Sequence, residues 1–155
     1  MKLSSQIMVL TALSLAGVAG SQLLREQPLP WYEAWSQRIE RQAVEAGLAL
    51  VDLESVKVIT ETFSSVLLDA RRMEDYLQGR LPGAMSLPVY AFDQHMHEVL
   101  PLLLPDQQIV VYCSGADCDE SILLGQLLIE QGFTNLALYA GGFAEWTDKG
   151  LPVER

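Results

Sequence analysis

Two cysteines, Cys113 and Cys118, are the residues of this sequence that are best suited to covalent chemistry. Cys113 directly follows the apolar run 109–112, and the segment after it leads into a helical pattern that begins near Ser121. A cysteine between a buried strand and a helix N-terminus can receive several backbone N–H dipoles, which favour the thiolate over the thiol. Such a thiolate can attack a sulfane sulfur, hold it as a persulfide and pass it on. Cys113 is therefore the candidate nucleophile, and the candidate active-site loop comprises Ser114, Gly115, Ala116, Asp117, Cys118, Asp119, Glu120 and Ser121.

The second cysteine of this loop, Cys118, has two interpretations. If the loop folds back, its sulfur could resolve a persulfide or a sulfenate on Cys113 by forming a disulfide. The other interpretation, which we favour slightly from the sequence, is a small buried side chain that packs the loop. Two cysteines in one segment do not form the disulfide framework of a small secreted scaffold, so local chemistry is expected instead.

The elements that must position this loop alternate between strands and helices. Short apolar runs at 66–68, 84–87, 109–112 and 136–139 predict strands that are buried on both faces. Helical segments are predicted near 54–62, 73–77, 121–131 and 143–149. This alternation predicts an α/β domain built on a mostly parallel sheet. In such a sheet, sites form where loops leave the carboxyl ends of the strands, which is where Cys113 lies.

The N-terminal segment is apolar enough to be a membrane anchor. Residues 3–24 carry no charge, and a helix of that length reaches roughly 33 Å, enough to cross a bilayer. The small residues at 16–20 also resemble a signal-peptidase site, so a cleaved signal is the competing interpretation. We predict an anchor or signal segment at 1–25, a linker with a juxtamembrane helix at 26–47, and a globular domain at 48–155. The chain is expected at a membrane as a single-pass protein, and Met1-Lys2 favours an exported, periplasmic domain, although the arginines beyond residue 24 favour a cytoplasmic one.

The linker is followed by a predicted helix from about Trp31 to Ala46. Trp31, Trp35 and Ile39 share one face of that helix. The face could lie on lipid headgroups, or it could pack on the globular domain, and the sequence favours neither.

Charge and composition exclude some functions. The formal net charge is −10 and the ten basic residues are scattered, so nucleic-acid binding is not expected. His95 and His97 flank Met96 with no cysteine nearby, so no metal site is expected there; a solvated helix or loop is preferred.

Four motifs in order resemble the rhodanese domain over residues 48–154. Asp69-Ala70-Arg71 is similar to its Asp-x-Arg after a strand, and Tyr76 to Ala84 is similar to its Tyr-x-x-Gly-His-Ile-Pro-Gly-Ala, with Arg80 in the histidine position. Val110 to Cys113 resembles the strand that delivers the active cysteine, and Gly141-Gly142 with Trp146 resembles the closing motif.

The rhodanese resemblance implies a five-stranded parallel sheet flanked by helices, here preceded by the N-terminal transmembrane helix. It also implies sulfurtransferase chemistry through a persulfide on Cys113, with no dissociable cofactor. From the residues themselves, no metal is expected. The implied partners are a sulfane-sulfur donor and a thiol or other small acceptor. Asp69 and Arg71 are expected to support the loop through an ion pair.

The loop departs from the family's pattern. Ser121 lies eight positions after Cys113, whereas about six is common, and the insertion brings Asp117, Asp119 and Glu120. Carboxylates near the sulfur oppose the thiolate and repel anionic donors such as thiosulfate, so a neutral or protein-borne persulfide donor is expected. Related phosphatases need an arginine at the position of Asp119, so phosphoryl transfer is excluded.

Two other functions remain open at this point. The acidic loop and the predicted anchor are also consistent with a non-catalytic interaction subunit of a membrane protein complex. Alternatively, Cys113 and Cys118 could form a dithiol redox module, which predicts a reversible disulfide between them.

Overall fold

The predicted apolar runs lie side by side in one parallel sheet. A computed structural model describes Thr11 and residues 35–115 and 117–155. The sheet has five parallel strands in the order β1-β5-β4-β2-β3, which confirms the predicted α/β architecture. The strands are β1 (Ala49–Leu50), β2 (Val66–Asp69), β3 (Met85–Ser86), β4 (Ile109–Tyr112) and β5 (Leu136–Tyr139).

Helices flank this sheet. They are α1 (Trp35–Glu45), α2 (Leu53–Thr62), α3 (Met73–Gln78), α4 (Phe92–Val99), α5 (Glu120–Glu130) and α6 (Gly142–Asp148), with 3₁₀ turns at Val89–Ala91 and Leu100–Leu102. Local signals define their ends: α2 begins where the side chain of Asp52 accepts a hydrogen bond from the backbone N–H of Ser55 at 2.9 Å. The same helix ends at Phe63, whose φ of 52° is left-handed.

Both faces of the sheet are covered, because side chains alternate along each strand. Leu68, Val111 and Leu138 point into one core, which α1, α4 and α5 complete. Leu67, Val110, Ala137 and their neighbours point into the other core, which α2 and α6 complete with Val56, Ile59 and Trp146. This two-sided burial explains why the central strands appear as unbroken apolar runs in the sequence.

The helix predicted after the linker packs on the domain. Ile39 and Ala43 of α1 are fully buried in the first core. This supports the packing interpretation at Ile39, while Trp31 and the side chain of Trp35 lie outside what the structure describes.

The N-terminal anchor remains a prediction. Among the residues that the structure describes, no helix has both the length and the apolar character needed to cross a bilayer. Apart from Thr11, the predicted span at 3–24 lies outside the described residues.

Candidate active site

The candidate nucleophile lies at the carboxyl edge of the sheet, beside a cleft. Cys113 follows the last residue of β4. Strand β2, which ends at Asp69, pairs with β4 on one side. Residues after both strands therefore line one cleft of about 240 Å³. Arg71, Arg72 and Asp75 line it from the β2 side, and Cys113, Cys118 and Glu120 line it from the loop.

The two cysteines are joined by a disulfide. Cys113 and Cys118 are 3% and 6% exposed, and their Cα atoms are 6.1 Å apart. A turn closed by the hydrogen bond from Cys118 N–H to the carbonyl oxygen of Gly115, at 3.1 Å, brings the second sulfur back to the first. The preference for Cys118 as a side chain that only packs the loop is therefore wrong: it is buried, but it is also bonded to the candidate nucleophile.

One carboxylate lies against both sulfurs. Oε2 of Glu120 is 2.8 Å from Sγ of Cys118 and 3.8 Å from Sγ of Cys113. The hydroxyl oxygen of Ser114 is also 3.8 Å from Sγ of Cys113. In the disulfide state neither sulfur carries a proton, so these are contacts; in the dithiol state the Cys118 thiol can donate a hydrogen bond to the carboxylate.

This cluster is also the one group among the described residues that could offer three metal ligands. The ligand atoms of Cys113, Cys118 and Glu120 lie within 4.8 Å of one another. A metal binds thiolates, and the disulfide removes both of them, so this arrangement does not fit a metal in the oxidised state.

The structure does not test the predicted cup of backbone amides around the Cys113 thiolate, because Cys113 is in a disulfide and Ala116 is not described. The contacts of Sγ of Cys113 that the described residues show are with the side chains of Ser114 and Glu120. Loop and helix amides donate to the carbonyl oxygens of Gly115 and Asp119. For the reduced protein the cup stays a prediction.

The start of the loop is held by the helix that follows β5. The N–H groups of Phe143 and Ala144 donate to the carbonyl oxygens of Cys113 and Ser114 at 2.9 and 2.7 Å. This close approach requires Gly142, because its φ is +58° and a Cβ there would lie 2.5 Å from the carbonyl oxygen of Cys113.

Asp69 and Arg71 form a buried ion pair under the cleft. Nη2 of Arg71 is 2.6 Å from Oδ2 of Asp69, and the side chains are 7% and 0% exposed. Arg71 also donates to the carbonyl oxygen of Gly79 at 2.7 Å, and its guanidinium lies 4.0 Å from the centre of the Phe143 ring. The expected ion pair is thus present, and it ties the β2 end to the turn before β3 and to α6.

Tyr112 connects this ion pair to β4. Its hydroxyl donates to Oδ2 of Asp69 at 2.7 Å and accepts from the N–H of Leu81 at 3.3 Å. Burial raises the pKa of Tyr112 well above its ordinary value, and the negative charge of Asp69 and the hydrogen bond to it raise it further. The phenol therefore stays protonated and serves as a fixed donor beneath the nucleophile.

Two groups at the site were missed from the sequence. Arg72, exposed at the start of α3, lines the cleft. Arg38 of α1 forms an ion pair with Asp119 at 3.2 Å, so α1 contacts the acidic loop. The signal for Arg72 was available, because residues after adjacent parallel strands share an edge. Nothing in the spacing indicated Arg38.

Comparison with known proteins gives the family to which these features correspond. A family model for the rhodanese-like domain matches residues 52–149, which include both cysteines and the Asp69–Arg71 pair. A sulfurtransferase of Allochromatium vinosum is 30% identical over 105 residues, covering 66% of this chain and 92% of that protein. Human thiosulfate:glutathione sulfurtransferase is 25% identical over 114 residues, covering 67% of this chain and 97% of that protein. The crystal structure of the Alr3790 protein from Anabaena sp. superposes with a TM-score of 0.57 at 26% identity, covering 67% of this chain and 90% of that one.

Proposed function

Because this chain belongs to the rhodanese-like domain family, we propose that it is a sulfurtransferase whose Cys113, once reduced, accepts sulfane sulfur as a persulfide and passes it to a thiol or another small acceptor. The observation that carries the proposal is the position of Cys113, which follows β4 and lines an arginine-containing cleft. The family match and the sulfurtransferase relatives support the same reaction class.

The reaction begins from the dithiol state, because a disulfide has no thiolate to attack with. The Cys113 thiolate attacks the outer sulfur of the donor, a new S–S bond forms, and the donor's remaining group leaves with the electron pair of the broken bond. With thiosulfate the leaving group is sulfite; with a persulfide it is a thiolate. An acceptor thiolate then attacks the outer sulfur of the Cys113 persulfide and regenerates the Cys113 thiolate.

Charge around the cleft favours a persulfide donor over thiosulfate. The wall of the cleft contains two arginines, Arg71 and Arg72, and three carboxylates, those of Asp75, Asp117 and Glu120. Arg71 is already paired with Asp69, so its charge is largely compensated. A dianion such as thiosulfate meets net repulsion there, and each 1.4 kcal/mol of repulsion lowers binding roughly tenfold. A persulfide on a small thiol or on a protein carries less charge at the reacting end.

A loading experiment tests this function. The 155-residue chain is reduced, freed of reductant and incubated with thiosulfate, glutathione persulfide or polysulfide, and intact mass is measured. We expect the mass of one added sulfur atom on the Cys118→Ser variant, and none on Cys113→Ser. Failure of every donor to add sulfur to a folded, reduced Cys118→Ser protein would contradict the proposal and favour a non-catalytic interaction subunit.

The disulfide supports a second candidate, a dithiol redox module that uses Cys113 and Cys118. This function needs the pair to cycle in solution against a thiol–disulfide buffer. Alkylation across a series of buffer ratios, followed by peptide mapping, measures the cycle. A pair that stays fully reduced or fully oxidised at every ratio would dismiss it.

Membrane attachment and the exported location belong to the proposal as well. The support is the uncharged segment 3–24, which is long enough to span a bilayer. Attachment would place the sulfur donor, the thiol acceptor and any partner complex at the membrane surface. Protease protection of the domain in intact cells and in spheroplasts distinguishes an exported domain from a cytoplasmic one, and extraction by carbonate without detergent would contradict the anchor.

A further inference from the structure

The loop places a second sulfur and a carboxylate beside the candidate nucleophile. Cys118 already bonds to Cys113, so its sulfur reaches the inner sulfur of any persulfide formed there with little rearrangement. Glu120 reaches both sulfurs with one oxygen atom, at 2.8 Å from Cys118 and 3.8 Å from Cys113. Transfer of sulfur to an external acceptor needs neither Cys118 nor Glu120, because Cys113 alone holds the transferred sulfur atom.

We propose that Cys118 resolves the Cys113 persulfide within the chain and releases hydrogen sulfide, with Glu120 transferring the proton. The proposal rests on the proposed persulfide function and extends it. The protein would then act as a persulfide reductase: it takes up sulfane sulfur from a persulfide and delivers hydrogen sulfide instead of a new persulfide.

The step balances without an added oxidant. The Cys118 sulfur attacks Sγ of Cys113, a bond forms between these two atoms, and the bond between Sγ of Cys113 and the outer sulfur breaks. The electron pair of that bond leaves with the outer sulfur, so the sulfane sulfur is reduced to hydrosulfide and the two cysteines are oxidised to the disulfide. The proton of the Cys118 thiol moves to Glu120 and then to the departing sulfur.

Glu120 has the geometry for this proton transfer. A general base must lie within hydrogen-bond reach of the proton that it takes, and in the disulfide that ends the step Oε2 of Glu120 lies 2.8 Å from Sγ of Cys118, so the reduced thiol needs only a small movement to donate to it. The same oxygen is near Sγ of Cys113, to which the leaving sulfur is attached, so one carboxylate serves both ends of the step. This gives the acidic loop a catalytic purpose, although its charge disfavours anionic donors.

The product state of this step is the disulfide that the structure contains. Each turnover therefore ends with Cys113 blocked, and a dithiol reductant must open the disulfide before the next one. The class of reaction that has to follow is a thiol–disulfide exchange with a dithiol protein or a small dithiol.

A single-turnover experiment on the 155-residue chain in mild detergent tests the inference. The reduced chain is mixed with one equivalent of glutathione persulfide and no added acceptor, and hydrogen sulfide, intact mass and peptide disulfides are followed. For the unaltered chain we expect about one equivalent of hydrogen sulfide, together with the Cys113–Cys118 disulfide. Cys118→Ser and Cys118→Ala should keep the added sulfur on Cys113, which also shows that the proposed function holds.

Glu120 is tested separately from Cys118. Glu120→Gln should load sulfur normally but release hydrogen sulfide about 100-fold more slowly. Glu130→Gln makes the same charge change at the far, exposed end of α5 and should release at the unaltered rate.

The outcomes separate the two proposals. If Cys118→Ser does not load sulfur, the persulfide function fails. If it loads sulfur and the unaltered chain also keeps its persulfide without releasing hydrogen sulfide, the resolving role of Cys118 is overturned while the persulfide function stands. If Glu120→Gln releases hydrogen sulfide as fast as Glu130→Gln, the role of Glu120 is overturned.

Discussion

Replacing Asp69 by asparagine keeps the size of the side chain but removes the charge that holds Arg71 in the interior. The carboxylate accepts hydrogen bonds from the backbone N–H of Arg71, from two nitrogen atoms of its guanidinium and from the hydroxyl of Tyr112. All three residues are buried. The substitution therefore leaves a buried cation without its counter-charge, and it replaces one accepting oxygen by an NH2 group that faces other donors.

The expected loss of stability is large. Removing one partner of a buried ion pair costs about 3–5 kcal/mol, because the remaining charge keeps its desolvation penalty. For a chain of this size that corresponds to a fall in Tm of about 6–20 °C, at roughly 2–4 °C per kcal/mol. The same acid-to-amide change at Glu54, which pairs with Lys57 at 2.8 Å but is 76% exposed, should cost under about 1 kcal/mol.

Urea denaturation followed by circular dichroism measures both variants under identical conditions. We expect the midpoint of Asp69→Asn to fall far below that of Glu54→Gln, with sulfur loading reduced because the cleft wall loosens. If Asp69→Asn loses no more than Glu54→Gln, the ion pair does not support the site and the assignment of Asp69 and Arg71 as its structural basis is wrong.

Two further predictions concern Tyr112 and Gly142. Burial and then Asp69 raise the pKa of Tyr112, so the folded chain holds a proton that the unfolded chain loses above about pH 10, and stability falls as pH rises beyond that value. Tyr112→Phe should reduce this alkaline decline in the free energy of unfolding by up to about 1.4 kcal/mol per pH unit, measured by denaturation at a series of pH values. If the decline is equal in Tyr112→Phe and in a Tyr90→Phe control, the prediction is contradicted. Gly142→Ala should lower the free energy of unfolding by about 1–3 kcal/mol more than Gly132→Ala in the same assay. Both glycines have positive φ, but only a Cβ at position 142 meets the carbonyl oxygen of Cys113. Equal losses in the two variants would refute that clash.

The central architecture could be predicted because its strands are buried on both faces. β2, β4 and β5 appear in the sequence as unbroken apolar runs, and the structure places them side by side. The edge strands were harder. β1 has only two residues, Ala49 and Leu50, both exposed, which is too short to produce a periodic pattern and was missed. β3 was placed at 84–87 and covers only Met85–Ser86.

The position of the candidate nucleophile followed from the sequence, but the chemistry of its neighbours did not. A cysteine directly after a buried strand has one possible place in a parallel sheet, its carboxyl edge. The pairing with Cys118 depends on how the loop turns back on itself, and a spacing of five residues permits both a paired and an unpaired sulfur. The contact of Arg38 with Asp119 brings together residues far apart in the chain, which no local pattern encodes.

The two ends of the active-site loop are attached to different parts of the domain. The backbone of Cys113 and Ser114 is fixed by the amides of Phe143 and Ala144, whereas the side of the loop that carries Asp119 is tied to Arg38. The first attachment consists of backbone hydrogen bonds that do not involve the disulfide, so the position of Cys113 is set by β4 and α6 and not by its bond to Cys118. The second attachment is weaker, because the side chain of Asp119 is 56% exposed and an ion pair at such a site contributes little to stability. Substitutions of Arg38 or Asp119 should therefore affect the far side of the loop more than the position of Cys113.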